Sequence, residues 1–182
     1  MQTAYGEIAG IEEFVEDDAY VYATKEGIVF EYLTYMLDLL HDHVKSCVST
    51  VEFDNAKQRA GAFHPRKRKI TLSRIYVEHA TWEAIENTIK HEFAHALDFA
   101  NTGTSNHGVA WQLECERLGM KEITRCWSEE EAPDMPKGKY EGHCPNCDKI
   151  VAYRWRLAEK DRGSYLHRTC RSRLEWNEVV KS

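Results

Sequence analysis

Residues 91–95 read His91-Glu92-Phe93-Ala94-His95, two histidines four apart with a glutamate beside the first. The flanking residues decide what this pentad is. Trp82, Ile85, Ile89, Phe93, Ala96, Leu97 and Ala100 recur at the helical period. Thr81 is a suitable N-cap, with Glu83 in the first turn. The spacing predicts a helix from Thr81 to about Ala100, followed by a polar loop over 101–106 in which Gly103 can end it. Positions i and i+4 of a helix share one face. His91 and His95 therefore project together, away from the apolar side, with Glu92 next to them. Two imidazoles on adjacent turns can hold one metal ion, and a carboxylate beside them can take a proton from an attacking water. That is the pattern of a hydrolytic zinc site.

A catalytic zinc takes three protein ligands and keeps one position open, so the pentad needs a partner from elsewhere. His107 is one candidate, twelve residues beyond His95 at the start of a second short helix predicted over 107–118. Glu114 and Glu116 are rivals on the same segment. Trp111, Leu113 and Leu118 would pack this helix, and Gly119 would stop it. Glu92 is expected to act as general base rather than as a ligand. Asp98 is either a carboxylate orienting a ligand histidine from behind or a surface group. An exposed helix face with two coincidental histidines is the bland alternative, and a purely structural zinc would leave Glu92 unexplained.

Upstream, Val29, Leu33, Met36, Leu37, Leu40 and Val44 predict one amphipathic helix over 29–47. Short strands are predicted at 49–54, 57–63 and 70–72, the last two separated by the Pro-containing basic run 65–69. Together they suggest a small antiparallel sheet. Residues 1–24, acidic at 12–18, read as a loosely attached segment. Residues 129–138 hold three glutamates, two prolines and a glycine, and mark a linker. The expected organisation is an acidic N-terminal segment over 1–24, a core over 25–128, the linker, and a small module over 139–178.

That module carries a second metal pattern. Cys144-Pro145-Asn146-Cys147 is a CxxC knuckle, and His167-Arg168-Thr169-Cys170 is an HxxC knuckle. Two knuckles at this separation match a zinc ribbon with one cysteine replaced by histidine. All four positions come from protein, so this zinc is closed and structural, and it would supply much of the folding energy of a module too small for a large core. Tyr153, Trp155 and Tyr165 can pack around it. His143 is a rival ligand, but it adjoins Cys144. A CxxC redox pair would leave the second knuckle unexplained. Cys47, Cys115 and Cys126 lack partners at knuckle spacing and read as ordinary buried or half-buried cysteines.

The totals bound the rest. With 182 residues, 42% of them hydrophobic, the chain suits one domain plus a small module. No apolar run approaches the roughly 18 residues of a membrane span. No signal peptide is read at the N-terminus, so an intracellular protein with reduced cysteines is expected. The net charge of −6 is uneven: residues 1–136 carry 13 basic against 24 acidic residues, and residues 137–182 carry 11 against 6. A basic module on an acidic body is a possible nucleic-acid contact surface.

The chain resembles the SprT-like (Spartan-related) zinc metalloproteases. The resemblance rests on Arg59-Ala60-Gly61 and Ile70-Thr71-Leu72-Ser73, on His91-Glu92-Phe93-Ala94-His95-Ala96-Leu97, on His107-Gly108-Val109-Ala110-Trp111 with Leu118-Gly119, and on the C-terminal ribbon. It covers roughly residues 28–175. The family implies an α+β fold: a minimal zincin-like core of three helices and a small sheet, plus a β zinc ribbon. It implies two zinc ions, one catalytic and one structural. His91, His95 and His107 match its zinc ligands and Glu92 its catalytic glutamate. It also implies endopeptidase activity, in some members on proteins crosslinked to DNA. The ribbon departs from the four-cysteine pattern at His167. Long recruiting tails of the eukaryotic members are absent, which favours a bacterial or phage-type protein in the cytoplasm, with the nucleus the expectation for a eukaryotic one.

Two functions from different classes follow. The first is a DNA-associated zinc protease acting on protein substrates, with the basic module and the 65–69 run contacting phosphates, single strands favoured, and Trp155, Tyr165 or Trp176 stacking on bases if they are not core. The second is a non-catalytic zinc-ribbon protein that binds nucleic acid or a transcription complex, its HExxH site vestigial. A peptidase without any DNA link is a third. None involves a membrane.

Overall fold

A computed structural model of the chain describes residues 2–15, 24–120, 123, 132 and 138–179. The chain divides into two compact units, Met1–Met135 and Pro136–Ser182. Most of the proposed linker, and Cys126, lie outside the described residues.

In the first unit a short hairpin, β1 (Gln2–Thr3) and β2 (Gly6–Glu7), precedes helix α1 (Ile11–Val15). Helix α2 (Lys25–Leu39) follows, capped by Thr24, whose side chain accepts from the Gly27 amide. The single helix expected over 29–47 is broken at Leu40 (φ −97°, ψ 4°), and a short α3 (His41–Val44) continues the path. The apolar period survives the break because Val29, Leu33, Met36, Leu40 and Val44 are all fully buried. Both segments press the same stripe into the core.

Three strands come next: β3 (Thr50–Asp54), β4 (Gly61–His64) and β5 (Lys69–Ser73). They are the three expected, but the sheet is mixed rather than wholly antiparallel. The β4–β5 hairpin is antiparallel, turning through Pro65–Lys67 with Arg68 left-handed (φ 53°), whereas β3 joins the other edge of β5 in parallel register. The order is therefore β3-β5-β4. Residues 55–60 make the crossover and are pinned to the end of β5: the Ser73 amide donates to Ala60 O, and Ser73 Oγ donates to Ala56 O. This crossover occupies the first half of the strand expected at 57–63, so β4 starts only at Gly61.

Ser73 also caps a short helix, α4 (Arg74–His79), which the sequence pattern did not reveal. Then comes the long helix α5 (Trp82–Thr102). Thr81 Oγ1 caps its start by accepting from the Ala84 amide, and Gly103 ends it in the left-handed region (φ 73°). Helix α6 (Val109–Arg117) ends at Gly119, also left-handed. Trp111 and Leu118 are buried as expected, but Leu113 faces solvent.

The core gathers around α5. Ile85, Ile89, Phe93, Ala96 and Leu97 are buried against α2, α3 and the sheet. The opposite side of α5 is not a solvent face. Glu92, Ala94, His95 and Asp98 are buried as well, because β4 and α6 pack over that side.

Residues 2–15 correct another expectation. They are docked, not loose. Ile8 and Ile11 enter the main core, Phe14 packs edge-on to Tyr32, and the Ile11 amide donates to Glu86 Oε2 at 3.0 Å. Acidic composition concealed two apolar anchors, Ile8 ahead of α1 and Ile11 at its start.

The second unit is a three-stranded antiparallel sheet of β6 (Tyr140–Cys144), β7 (Lys149–Arg154) and β8 (Glu175–Glu178), ordered β7-β6-β8. The molecule is thus α+β, with a small cysteine-bearing β unit at its C-terminal end. No helix among the described residues is long and apolar enough to cross a membrane.

Candidate metal centre

Helix α5 delivers His91 and His95 from adjacent turns, as the i, i+4 geometry requires. The loop after Gly103 turns the chain back and places His107 just ahead of α6. The three Nε2 atoms lie 3.2 Å from one another on every side. Tetrahedral zinc with Zn–N bonds near 2.0–2.1 Å spaces its nitrogen ligands by about 3.3 Å, so the donor set fits that ion. The three side chains form a group that could hold one metal ion. The alternative ligand Glu114 is committed elsewhere: its carboxylate accepts from Tyr5, Asn101 and Arg117. Glu116 is exposed. Neither belongs to the group brought together here.

The site is supported from behind. Trp111, only 1% exposed, meets all three imidazoles, with ring centroids 4.8, 5.4 and 4.6 Å from those of His91, His95 and His107. Ser105 Oγ lies 3.0 Å from His95 Nδ1. With Nε2 turned to the cluster, Nδ1–H donates to Ser105, fixing the tautomer that leaves Nε2 free to ligate. Nothing in the local sequence distinguished Ser105 from its polar neighbours in the loop. Asp98 is buried and accepts from Thr102 Oγ1 at 3.1 Å, so the surface alternative for it does not hold. Burial, reinforced by mutual repulsion with His91 and His107, pushes His95 down to about 3. His95 is therefore held neutral, with Nε2 turned to the other two imidazoles.

Glu92 sits one residue along, beneath strand β4, and is 6% exposed. Burial pushes its carboxyl up to about 8, against the pull of a hydrogen bond from the Phe63 backbone amide and of the Arg59 guanidinium. Arg59 is itself held by Asp54. A cation on the three imidazoles would draw the carboxylate back toward its charged form. Gly61 explains how β4 comes so close. A Cβ there would stand 2.9 Å from Glu92 Cγ and 3.1 Å from Leu72 Cδ2, so only glycine leaves room for the glutamate.

The second unit brings Cys144, Cys147, His167 and Cys170 together, their ligand atoms all within 4.8 Å of one another. The two knuckles share one backbone device. The residue after each pair, Asp148 (φ 55°) or Arg171 (φ 57°), is left-handed and donates its amide to the carbonyl of the first ligand, at 2.9 and 2.8 Å. Cys147 Sγ lies 3.7 Å from His167 Nδ1, near the roughly 3.6 Å expected between sulfur and nitrogen on one tetrahedral zinc. Burial opposes ionisation of both thiols of this knuckle; backbone hydrogen bonds from Cys147 and Asn146 lower the Cys144 thiol, while the neighbouring Cys144 and Cys170 sulfurs raise that of Cys147. The rival His143 instead pairs with Asp148 at 2.9 Å. Trp176 packs edge-on to Tyr165 and over Gly142, so it serves the unit's packing. The seven residues named as candidate metal ligands thus fall into two separate clusters, with His107, rather than Glu114 or Glu116, joining His91 and His95.

Among known proteins, the sequence profile of the SprT-like family matches residues 33–130, more than half of the chain. No curated protein and no solved structure matches it.

Proposed function

The chain belongs to the SprT-like family, a family of metalloprotease type, and from that premise we propose that it is a zinc-dependent endopeptidase acting on DNA-associated proteins. The observation that carries the hydrolytic part is the triangle of three Nε2 atoms at 3.2 Å with the buried Glu92 beside it. His91, His95 and His107 would hold the catalytic zinc; Cys144, Cys147, His167 and Cys170 would hold the structural one. Zinc, when bound, supplies Lewis acidity that acidifies water and polarises a carbonyl. The chain's own residues do the rest. Glu92 accepts the proton of the attacking water and passes it to the departing amine as the peptide bond breaks. Among the described residues no strand pairs with the far edge of β4, so an extended substrate can add there through its backbone, next to the three histidines.

Gly61 is therefore part of this machinery. Gly61→Ala is expected to displace Glu92, lowering kcat/KM about tenfold or more, and to cost about 1–3 kcal/mol of stability through overpacking, with zinc content unchanged. Activity and a urea midpoint equal to wild type would show that the close approach is not needed.

Support for the DNA association is electrostatic. Residues 137–182 carry a net charge of +5, and in the first unit Arg66 and Lys67 stand exposed at the tip of the β4–β5 hairpin. Two other basic residues of that tip are already engaged, Arg68 with Lys45 O and Lys69 with Glu52, which narrows the contact to Arg66 and Lys67. The test is cleavage of a DNA-bound protein and of free casein, with and without single-stranded DNA and chelator. Chelator is expected to abolish both cleavages, and DNA to raise the first several-fold, less so at high salt. Cleavage of both without any DNA effect favours a general peptidase. No cleavage under any condition, with DNA bound all the same, favours a non-catalytic ribbon protein.

A further inference from the structure

Glu114 is 4% exposed, and the proposed chemistry does not use it. It gathers three donors from three parts of the chain. Tyr5 OH, from the N-terminal hairpin, donates to Oε2. Asn101 Nδ2, from the last turn of α5, donates to Oε1 at 3.2 Å, and Arg117 Nη1 donates to the same oxygen at 2.7 Å. A carboxylate only accepts, so this site satisfies it with three hydrogen bonds and one full positive charge. Tyr5 is seated in turn by edge-on contact with His43 on α3, and burial, then the Glu114 carboxylate, raise its phenol.

The location gives this network a consequence for the metal centre. Asn101 and Glu114 stand on opposite sides of the 103–108 loop, which carries Ser105 and His107. Glu114 also lies one turn beyond Trp111, the residue behind all three imidazoles. The tie between Asn101 and Glu114 therefore closes the loop at its base. It sets where α6 sits on α5, and with it the positions of Trp111 and His107.

We propose that Glu114, with Tyr5 and Asn101, is a positioning device for the third histidine of the metal centre, so that residues 2–15 contribute to metal affinity without touching the ion. This rests on the reading of His91, His95 and His107 as a zinc site. The three donors meet the rigid-body requirement directly: α5 supplies two ligands, the 103–108 loop the third, and Glu114 is the polar clamp between the two helices that carry them. Partners that hydrogen-bond a ligand directly change metal affinity about ten- to a hundredfold, and a tie one residue further out is expected to have a smaller effect.

The test is zinc affinity of the full chain, measured by competition with a chromophoric chelator, for wild type, Glu114→Ala, Glu114→Gln and Tyr5→Phe. His107→Ala identifies the histidine-site zinc, and the cysteine-site zinc serves as internal reference. Glu114→Ala is expected to weaken the histidine-site zinc about three- to tenfold, below the range for direct partners of a ligand, Glu114→Gln and Tyr5→Phe less, with the reference zinc unchanged. If Glu114→Ala does not fold, the comparison is made on the two milder variants. Variants that melt at lower temperature yet bind both zinc ions as wild type does, well below their melting point, would overturn the proposal and leave Glu114 a structural tie only. A wild-type chain with no histidine-site zinc is a distinct result: it removes the metal reading itself, and the proposal with it.

Discussion

Replacing Glu92 with glutamine is expected to lower peptide hydrolysis by at least about a hundredfold while both zinc ions stay bound. A positioned general base contributes roughly 10²–10⁴ in rate. Glutamine matches glutamate in shape, so it fits under Gly61 without new crowding and can still accept the Phe63 amide through its carbonyl oxygen. What it cannot do is take a proton. The neighbouring His91 keeps its backbone position and its Nε2 direction, so metal content is the internal control. Measuring casein cleavage together with zinc per chain separates the outcomes. Equal cleavage by the variant would remove Glu92 from the chemistry. Loss of zinc in step with activity would make Glu92 a determinant of metal binding instead of a proton carrier.

The contrast between local and non-local information explains which parts of this molecule are legible in its sequence. The α5 helix, its Thr81 cap, its Gly103 stop and the i, i+4 pair are local, and each is where the pattern places it. The two knuckles are local too, since a three-residue step and a left-handed turn place each pair of ligands. The third histidine needed the loop after α5 to fold back. Spacing alone left Glu114 and Glu116 in play, and the structure separates them by giving Glu114 three hydrogen-bond donors of its own. The parallel placement of β3 was not legible, because alternation along a strand says nothing about which neighbour it pairs with or in which direction. The docking of residues 2–15 was hidden for another reason. Ile8 and Ile11 are isolated apolar residues in an acidic stretch, and only the three-dimensional core shows the gap they fill. Leu113 illustrates the converse. It suits a packing position by type, yet α6 turns it outward so that Trp111, Glu114 and Cys115 can face α5.

The other large effect concerns the C-terminal unit, whose hydrophobic core is very small. Among its described residues, Cys144 and Leu174 are the only buried hydrophobic side chains. At about 25 cal/mol per Å² of buried apolar surface, so small a core falls well short of the roughly 1–2 kcal/mol per residue lost in ordering a backbone. On the proposed reading, zinc at the four-ligand cluster closes that gap, since apparent zinc-binding free energies of about 10–16 kcal/mol are large enough to do so. Cys170→Ser is therefore expected to remove one zinc per chain and to unfold the Pro136–Ser182 unit. The Met1–Met135 unit, whose core is built from Tyr32, Leu33, Met36, Ile85, Ile89 and Phe93, should keep its own melting transition and its histidine-site zinc. Limited proteolysis shows this directly, since cleavage sites in the mutant should appear throughout residues 139–179 and stay absent from α5. The same logic orders the two zinc ions proposed for the wild type. Three ligands with an open position release metal to a chelator more readily than four ligands that close the coordination shell, so activity should disappear first and the fold of the C-terminal unit later. A Cys170→Ser chain that keeps both zinc ions and full protection would show that the four ligand side chains meet for some reason other than a structural metal.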